Sequence, residues 1–581
     1  MKKHGLLIRI VSVLLSFTFL FSLSGCFKDY SDWLDSVAEE AGIETHTPKK
    51  TEAPTAIPGG PTDVPTERPT DEPKPGSLIP EYREVTKEAF EDLCSRLTEA
   101  ASKNDFSRIR TLYDQIYHEY EQLNDNYTLS YIAYCREVSN DELSQKYQDL
   151  EALAYDLGDL ACQAFRAVSN GPCRDSFKSY VGEAAFSYFE EYEDMTDQEK
   201  EWQKQETELV TRYNKIIDEN QDKIYKDDAY INSLVGPIYL ELVSLRTKMA
   251  QYYGYENYAD YADENVYYRD YDSKAAEKYH HAVKQISAEF YDLLYFTDAY
   301  FGLQRVTSVM KPEKMISNLG SIADRISPLA GQYFDVLSEH KLYDISDEAG
   351  RLDAGYTTDF QTTGSAFIFI TMQPGPRDFM TLTHEFGHFI NMNLVHNPNI
   401  FAYGSSMDLN EIHSNGFEGL CSYYYSEIYG QNADAALSAL LVELMMNVVD
   451  GCIYDEFQRA VYENPGATLD EINSLYEDIS YAYGDYYQSE YIWQYINHNF
   501  EAPMYYLSYA ASGIVALQIW AKAQNDFKGA VKMWEDIQNA GPYDYGYFEL
   551  LDDLDIRTFD DEAAVLDICH TVLDKIRKLN D

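Results

Sequence analysis

Most of the chain carries hydrophobic residues at the three- and four-residue spacing of amphipathic helices. From about residue 81 to residue 340 such stretches follow one another, with few glycines and little alternation. The pattern changes at residues 365–373, SAFIFITMQ, a β-branched and aromatic run bounded by Gly364 and Pro374. Helical spacing resumes at Gly375 and continues towards the C-terminus. The sequence therefore predicts a mainly α-helical protein with one strong strand.

The helix predicted to begin near Gly375 and Pro376 contains the segment THEFGH. At 100° per residue one side of it forms a mostly apolar stripe, made of Phe379, Leu382, Phe386, Phe389, Ile390 and Asn393. His384 and His388 lie on the opposite side. Two imidazoles one turn apart can bind one zinc ion, and Glu385 can hold a water bound to that metal. This short pattern is suggestive, and a third protein ligand is needed.

The third ligand is sought further along the chain. A histidine six residues after His388 would be residue 394, which is leucine. The segment 408–422, DLNEIHSNGFEGLCS, offers four candidates: Asp408, Glu411, His413 and Glu418. On a helical wheel Asp408, Glu411 and Glu418 share one face, opposite Leu409, Ile412, Gly416 and Leu420, while His413 points away.

Glu411 is therefore the best third ligand, and Asp408 and Glu418 are expected to orient the imidazoles. The alternative is a solvated acidic helix face. Gly416 and Gly419 argue against solvation, because glycine weakens a helix unless another helix packs closely on it.

The composition limits the architecture and the partners that can be expected for this protein. The chain has 581 residues, 45% of them hydrophobic, with 52 tyrosines, and its size suggests two or more lobes around a shared cleft. The formal charge is 46 − 98 = −52, which makes nucleic acid an improbable partner. Tyrosine is dense in residues 248–272, where packing of a helix pair and contact with a ligand both remain open.

The N-terminus resembles a lipoprotein signal. Residues 1–25 combine a basic start, an apolar run and a small-residue ending, and residues 23–26, LSGC, resemble a lipobox. Cys26 would then carry the lipid, and residues 26–80, rich in Pro and Thr, would form an extended tether. The alternative is an ordinary signal peptide. The other seven cysteines show no CxxC spacing; Cys162 and Cys173 could pair, but buried free thiols are expected.

Three segments together resemble the M3 peptidases, a family that includes thimet oligopeptidase and oligoendopeptidase F. They are HEFGH at 384–388, DLNEIHSNGFE at 408–418 and HNFEAPMYYLSYAASG at 498–513. Weaker likeness appears in KMAQYYGYENYADYA at 248–262 and GYTTDF at 355–360. The resemblance implies two helical lobes around a deep channel, with a small β-sheet next to the histidine helix. We expect residues 81–340 to form the N-terminal lobe and residues 341–581 the catalytic lobe.

The resemblance also implies roles for single residues. His384, His388 and Glu411 would bind one Zn²⁺ per chain, and Glu385 would be the catalytic base. His498 and the tyrosines of YYLSY would contact the transition state, with the choice among Tyr505, Tyr506 and Tyr509 open. A core helix with aromatic packing is the alternative for that segment. Many members have a further histidine where this chain has Asn391. That histidine is not a metal ligand, so the difference does not put activity in doubt.

These inferences predict a zinc oligoendopeptidase that hydrolyses internal bonds of short unfolded peptides. We expect it to be exported and lipid-anchored on the extracellular face of a bacterial cytoplasmic membrane. The strand at 365–373 is expected to pair with the substrate backbone. The alternative function is a catalytically inactive surface lipoprotein that binds peptides.

Overall fold

The computed structural model describes residues 77–581, except 194, 305, 307–309, 374, 403, 541, 542, 544 and 581. The predicted signal peptide, the lipid attachment site at Cys26 and nearly all of the tether lie outside the described residues.

The first part of the described chain is a succession of helices, as the hydrophobic spacing predicts. Their bounds are α1 Lys87–Ser102, α2 Phe106–Arg136, α3 Asp141–Ser169, α4 Arg174–Val181, α5 Glu183–Glu191, α6 Asp197–Glu219, α7 Asp228–Tyr252, α8 Tyr258–Asn265, α9 Ser273–Phe296, α10 Phe301–Gln304, α11 Pro312–Ile326 and α12 Pro328–Glu339. Several begin with a side chain that accepts a hydrogen bond from the first turn, as Thr196 does in a capping box with Glu199.

Three strands follow: β1 Tyr343–Ser346, β2 Gly355–Phe360 and β3 Ser365–Thr371. The sheet order is β1-β3-β2, with β1 parallel and β2 antiparallel to β3. The run SAFIFIT forms the central strand, because its mostly apolar residues can be buried on both faces of the sheet. They are buried almost throughout. Both edges of β3 are already paired, so the expectation that this strand pairs with substrate is wrong. The strand with an outer edge on the side of the histidine helix is β2.

The C-terminal part is again helical. Its helices are α13 Asp378–Leu394, α14 Met407–Cys421, α15 Tyr425–Ile428, α16 Ala433–Glu463, α17 Leu469–Ala482, α18 Asn497–Glu501, α19 Tyr506–Ala523, α20 Phe527–Ala540, α21 Tyr547–Asp553 and α22 Glu562–Asn580. Helix α13 begins three residues later than expected because the Asp378 carboxylate accepts hydrogen bonds from the N–H groups of Gln373 and Gly375, which closes a turn first. The predicted mainly α-helical fold, with a small sheet beside the histidine helix, is confirmed.

The buried apolar residues form two cores. The smaller one is built by α1–α5, and Phe401 inserts into it from the loop after α13. The larger one extends from the end of α2 to α22 and surrounds α13, α14, α16 and α19. The predicted division of the chain at residue 340 stays a prediction.

Two further observations concern the described residues. One helical stretch, Gly430–Glu463, is long and apolar enough to span a bilayer. However, 78% of its most apolar 18-residue segment is buried inside the protein, as in a core helix. The seven cysteines outside the N-terminal segment are buried and form no disulfide, so Cys162 and Cys173 are not bonded to each other.

Candidate active site

The site is formed where α13 packs against α14. A Cβ atom at Gly387 would lie 2.5 Å from the carbonyl oxygen of His413 and 2.6 Å from Cα of Ser414. Only glycine therefore lets the two backbones approach this closely. The contact sets the His384–His388 face of α13 against the Glu411 face of α14.

Two imidazoles and one carboxylate, the ligand group of His384, His388 and Glu411, meet at this contact. Nε2 of His384 and Nε2 of His388 each lie 3.4 Å from Oε2 of Glu411. Among the described residues this is the one group of three that could hold a metal ion, and all three side chains are buried. The ligand set predicted from spacing and the helical wheel is thus brought together in space.

The spacing of these atoms fits zinc. Two ligand atoms about 2.0–2.1 Å from a tetrahedral zinc lie roughly 3.4 Å apart. The two imidazole-to-carboxylate distances, 3.4 Å each, match that separation. Three protein ligands also leave one position open, as in catalytic zinc sites.

Glu418 orients the first imidazole. Nδ1 of His384 donates to Oε1 of Glu418 at 2.7 Å, which orients the ring so that Nε2 faces Glu411. Burial lowers the pKa of His384, but Glu411 and Glu418 together raise it well above its usual value. Burial also raises the pKa of Glu411, while His388 and His384 bring it well below its usual value.

The group contains no cation of its own beyond the imidazoles. Among the residues described, no lysine or arginine forms an ion pair with Glu385, Glu411 or Glu418. A buried carboxylate is costly unless it is paired. The donor set therefore favours a bound cation.

Glu385 faces the sheet. Oγ1 of Thr357, on β2, lies 2.8 Å from Oε2 of Glu385 and 2.9 Å from its carbonyl oxygen, and its single proton serves one of them at a time. Burial raises the pKa of Glu385, although His384, His388 and the Thr357 hydroxyl oppose the shift. The carboxylate is thereby held beside the ligand group.

Sequence reasoning did not identify Thr357 as a site residue. The available signal was the weak likeness of GYTTDF to the M3 family. Gly355 in the same strand has a packing role, because a Cβ atom there would lie 2.7 Å from Cγ2 of Thr381 on α13. The strand can approach the histidine helix only without that atom.

Asp408 makes different contacts from those expected. Its carboxylate accepts hydrogen bonds from Tyr271 and Ser508 and lies 3.4 Å from Nε of Arg269, instead of orienting an imidazole. His413 lies outside the ligand group, where Asn391 contacts its Nε2 at 3.3 Å, and burial lowers its pKa to about 3.

His498 lies among three tyrosines. Its ring stacks on Tyr505 with centroids 5.5 Å apart and meets Tyr506 and Tyr509 edge-on at 5.2 and 5.9 Å. All four side chains are buried. Burial lowers the pKa of His498 to about 3, so the imidazole is neutral at pH 7 and retains one N–H donor.

The hydrogen bond from Ser508 to Asp408 joins this aromatic cluster to α14. The charge of Glu411 contributes to the pKa of Tyr505, which burial raises well above the usual value of a phenol. The cluster of His498, Tyr505, Tyr506 and Tyr509 therefore lies on the side of α14 that carries Glu411. Its contact with substrate stays a prediction.

No family model and no curated protein matches the chain. Solved structures do match. PZ peptidase A in complex with an inhibitor superposes with a TM-score of 0.70 at 19% identity, covering 86% of this chain and 98% of that one. A protein from Bacillus anthracis assigned as an oligoendopeptidase F gives a TM-score of 0.67 at 19% identity, with 86% and 97% covered. The described chain has the fold of these peptidases.

The same fold also carries a different peptidase type. The M32 carboxypeptidase from Deinococcus radiodurans matches with a TM-score of 0.53 at 11% identity, covering 85% of this chain and all of that one. The fold by itself therefore does not decide between cleavage at an internal bond and cleavage at a C-terminal bond.

Proposed function

We propose that the chain is a zinc-dependent endopeptidase of the M3 type that hydrolyses short unfolded peptides. The observation that carries this proposal is the buried His384–His388–Glu411 group, with Glu385 beside it. Its atoms have the number, type and spacing that catalytic zinc requires. The shared fold of the PZ peptidase and oligoendopeptidase F structures supports the same conclusion.

His384, His388 and Glu411 would hold the metal. When bound, zinc supplies Lewis-acid polarisation of the scissile carbonyl and lowers the pKa of water. Glu385 accepts the proton of the attacking water and passes it to the leaving amine, a role for which its buried carboxylate is suited. Thr357 fixes the orientation of that carboxylate. Glu418 keeps the proton of His384 on Nδ1, away from the ligand group.

Attack on the carbonyl places negative charge on its oxygen. A neutral His498 can donate a hydrogen bond to this oxygen, and a phenol of Tyr505, Tyr506 or Tyr509 can do the same. Donors held in a buried cluster need little reorganisation during the reaction, so they stabilise the transition state more than the bound substrate.

The outer edge of β2 offers a place for the peptide backbone. Ala354 accepts a hydrogen bond from the N–H of Thr371 on β3, so the alternation of an antiparallel pair turns the backbone groups of Gly355, Thr357 and Asp359 the other way. No strand among the described residues pairs with that edge. An extended peptide added there would pass beside Glu385, which favours unfolded substrates.

The proposal is tested by zinc analysis together with mass spectrometry of a peptide-library digest. We expect about one zinc per chain and cleavage at internal bonds. Glu385→Gln should keep the zinc and lower turnover by on the order of 10²- to 10⁴-fold. Zinc binding and peptide binding without turnover would instead support the inactive peptide-binding protein. Release of single C-terminal residues would support a carboxypeptidase.

We further propose that the protein is exported and attached to the outer face of a bacterial cytoplasmic membrane through a lipid on Cys26. The support is the sequence of residues 1–26 and the Pro- and Thr-rich residues that follow. Mass spectrometry of the mature N-terminus tests this directly. Release of Cys26→Ser into the medium is expected, and an unmodified Cys26 in the membrane-bound protein would contradict it.

A further inference from the structure

A strained turn lies between His498 and the last two tyrosines of the cluster, Tyr506 and Tyr509. Residues 502–505 connect α18, which carries His498, to α19, which carries Tyr506 and Tyr509. Met504 within this turn has φ +76°, a left-handed conformation that a methionine rarely adopts. Such a conformation persists only where the surroundings enforce it.

Three buried side chains hold the turn. Arg269 donates from an Nη atom to the carbonyl oxygen of Met504 at 2.8 Å. The hydroxyl of Tyr267 lies 2.8 Å from the carbonyl oxygen of Pro503 and 3.2 Å from that of Ala502. Gln458 accepts a hydrogen bond from the N–H of Met504.

Arg269 also joins the turn to the helix that carries Glu411. The same Nη atom contacts Oγ of Ser508 at 3.2 Å, and Nε lies 3.4 Å from the carboxylate of Asp408. Asp408 is one turn before Glu411 on α14. One guanidinium therefore contacts both the turn before the tyrosines and the start of the ligand helix.

Further contacts hold the guanidinium of Arg269 in place. Its side chain is fully buried, and its other Nη atom pairs with Asp263 at 2.5 Å. Asp263 also pairs with Arg459 at 2.8 Å, and Arg459 pairs with Asp455 at 2.8 Å. The ring of Tyr267 lies 4.7 Å from the guanidinium carbon. The direct contacts with Asp263 and Tyr267 leave Arg269 little freedom to move away from the turn, whereas Arg459 contacts neither Arg269 nor the turn.

We propose that Arg269 is a positioning residue that holds the 502–505 turn in its strained form and so sets His498 and the three tyrosines against the ligand helix. This inference rests on the proposed function for its effect on turnover. The contact between Arg269 and the turn does not depend on that function.

The test compares Arg269→Lys with Arg459→Lys. Lysine keeps the charge but cannot form the planar set of donors that reaches Asp263, Met504 and Ser508 together. We expect Arg269→Lys to lower kcat by on the order of ten- to a hundredfold, with KM and zinc content within about twofold of wild type. Arg459→Lys weakens the same buried network without touching the turn, so it should lower thermal stability and leave kcat nearly unchanged.

A second, milder pair of variants tests the same contact in case Arg269→Lys does not fold. Tyr267→Phe removes only the hydroxyl that contacts the turn, and kcat should fall several-fold at constant KM and zinc content. The matched control is Tyr279→Phe, which removes a buried hydroxyl that donates to the carbonyl oxygen of Ala510 at 2.7 Å. Equal kcat in Arg269→Lys, Tyr267→Phe and both controls would overturn the proposal.

Hydrogen–deuterium exchange separates this proposal from the proposed function. Arg269→Lys should speed exchange in residues 502–509, and Arg459→Lys should not. This result is expected even if the wild-type protein hydrolyses no peptide, in which case only the proposed function fails. Unchanged exchange in Arg269→Lys would overturn the positioning role whatever the activity.

Discussion

Helix α14 carries two buried carboxylates one turn apart, and their surroundings differ. Asp408 lies 3.4 Å from Arg269 and accepts hydrogen bonds from Tyr271 and Ser508. Glu411 faces Nε2 of two imidazoles and the hydroxyl of Ser414. The charge of Asp408 is balanced within the chain, whereas the two imidazoles that face Glu411 belong to the proposed metal-binding group. The comparison separates a carboxylate that holds elements together from one that is suited to bind a cation.

A second pair of buried carboxyls, Asp450 and Asp485, shows another outcome. Burial raises the pKa of Asp450 to about 7, and the charge of Asp485 adds to the shift. Burial raises the pKa of Asp485 to about 7 as well. Tyr291 and Tyr295, stacked on α9, donate to these two carboxyls. Among the described residues no lysine or arginine forms an ion pair with either carboxyl, so burial raises the pKa of each towards neutral pH.

The largest effect should come from removing the charge of each of the two α14 carboxylates, Asp408 and Glu411, in turn. Glu411→Gln should reduce zinc from about one per chain to near zero and abolish peptide hydrolysis, because only two ligands remain. Asp408→Asn should keep the zinc and lower thermal stability, because Arg269 loses a partner. Metal analysis of both purified variants checks this. Zinc retained in Glu411→Gln and lost in Asp408→Asn would reverse the assignment.

The next effect concerns the tyrosine cluster. Tyr→Phe at one of 505, 506 or 509 should lower kcat by roughly 10²- to 10³-fold with little change in KM, the loss expected for one oxyanion donor. His498→Ala should cost a similar factor with zinc retained. Steady-state kinetics on the four variants decide which donor acts. If none loses more than a few-fold in kcat, the cluster serves packing alone.

A smaller effect is expected at the sheet. Thr357→Val keeps the shape of the side chain but removes the hydroxyl that contacts Glu385, so kcat should fall roughly tenfold at constant zinc content. Thr358→Val is the matched control, since neighbouring residues of a strand point to opposite faces. Equal kcat in the two variants would show that Thr357 has no part in holding the base.

The smallest effect concerns the pair Asp450 and Asp485, whose pKa values burial raises. The folded-state pKa of about 7 for Asp450 lies above the unfolded value of about 3.9. The folded state therefore binds the proton more tightly, and the stability this provides is lost as the pH rises towards 7. Asp450→Asn should remove that dependence and reduce the fall in Tm between pH 5 and pH 8 by on the order of a few degrees.

The exposed Asp478 provides the control for this measurement. Asp478→Asn should show the same pH dependence of Tm as the wild type. A wild-type Tm that stays constant between pH 5 and pH 8 would contradict the assignment of a proton to the pair.

Helical periodicity made the ligand set predictable. His384 and His388 are one turn apart, and the wheel of residues 408–422 places Glu411 and Glu418 on one face, so local geometry limits where each side chain points. The structure brings these faces together, with Glu418 against His384. The strand at 365–371 was equally readable from its β-branched and aromatic residues.

Other features could not be read in this way. Asp408 shares the acidic face of Glu411, and its partner Arg269 lies far away in the sequence, in a tyrosine-dense segment open to either interpretation. Whether β3 or β2 has an unpaired edge depends on the strand order of the sheet. That order cannot be predicted from the sequence of a single strand. Thr357 belonged to a recognised segment, but its contact with Glu385 required the packing of β2 on α13.

The sequence by itself determined the helical character of the chain, the central strand and the candidate zinc ligands, because each depends on spacing within one element. Only the tertiary structure decided which buried carboxylate meets imidazoles, which meets a guanidinium and which has its pKa raised towards neutral pH. Those outcomes depend on charges and burial contributed by distant segments, since desolvation and ion pairing act across space and not along the chain.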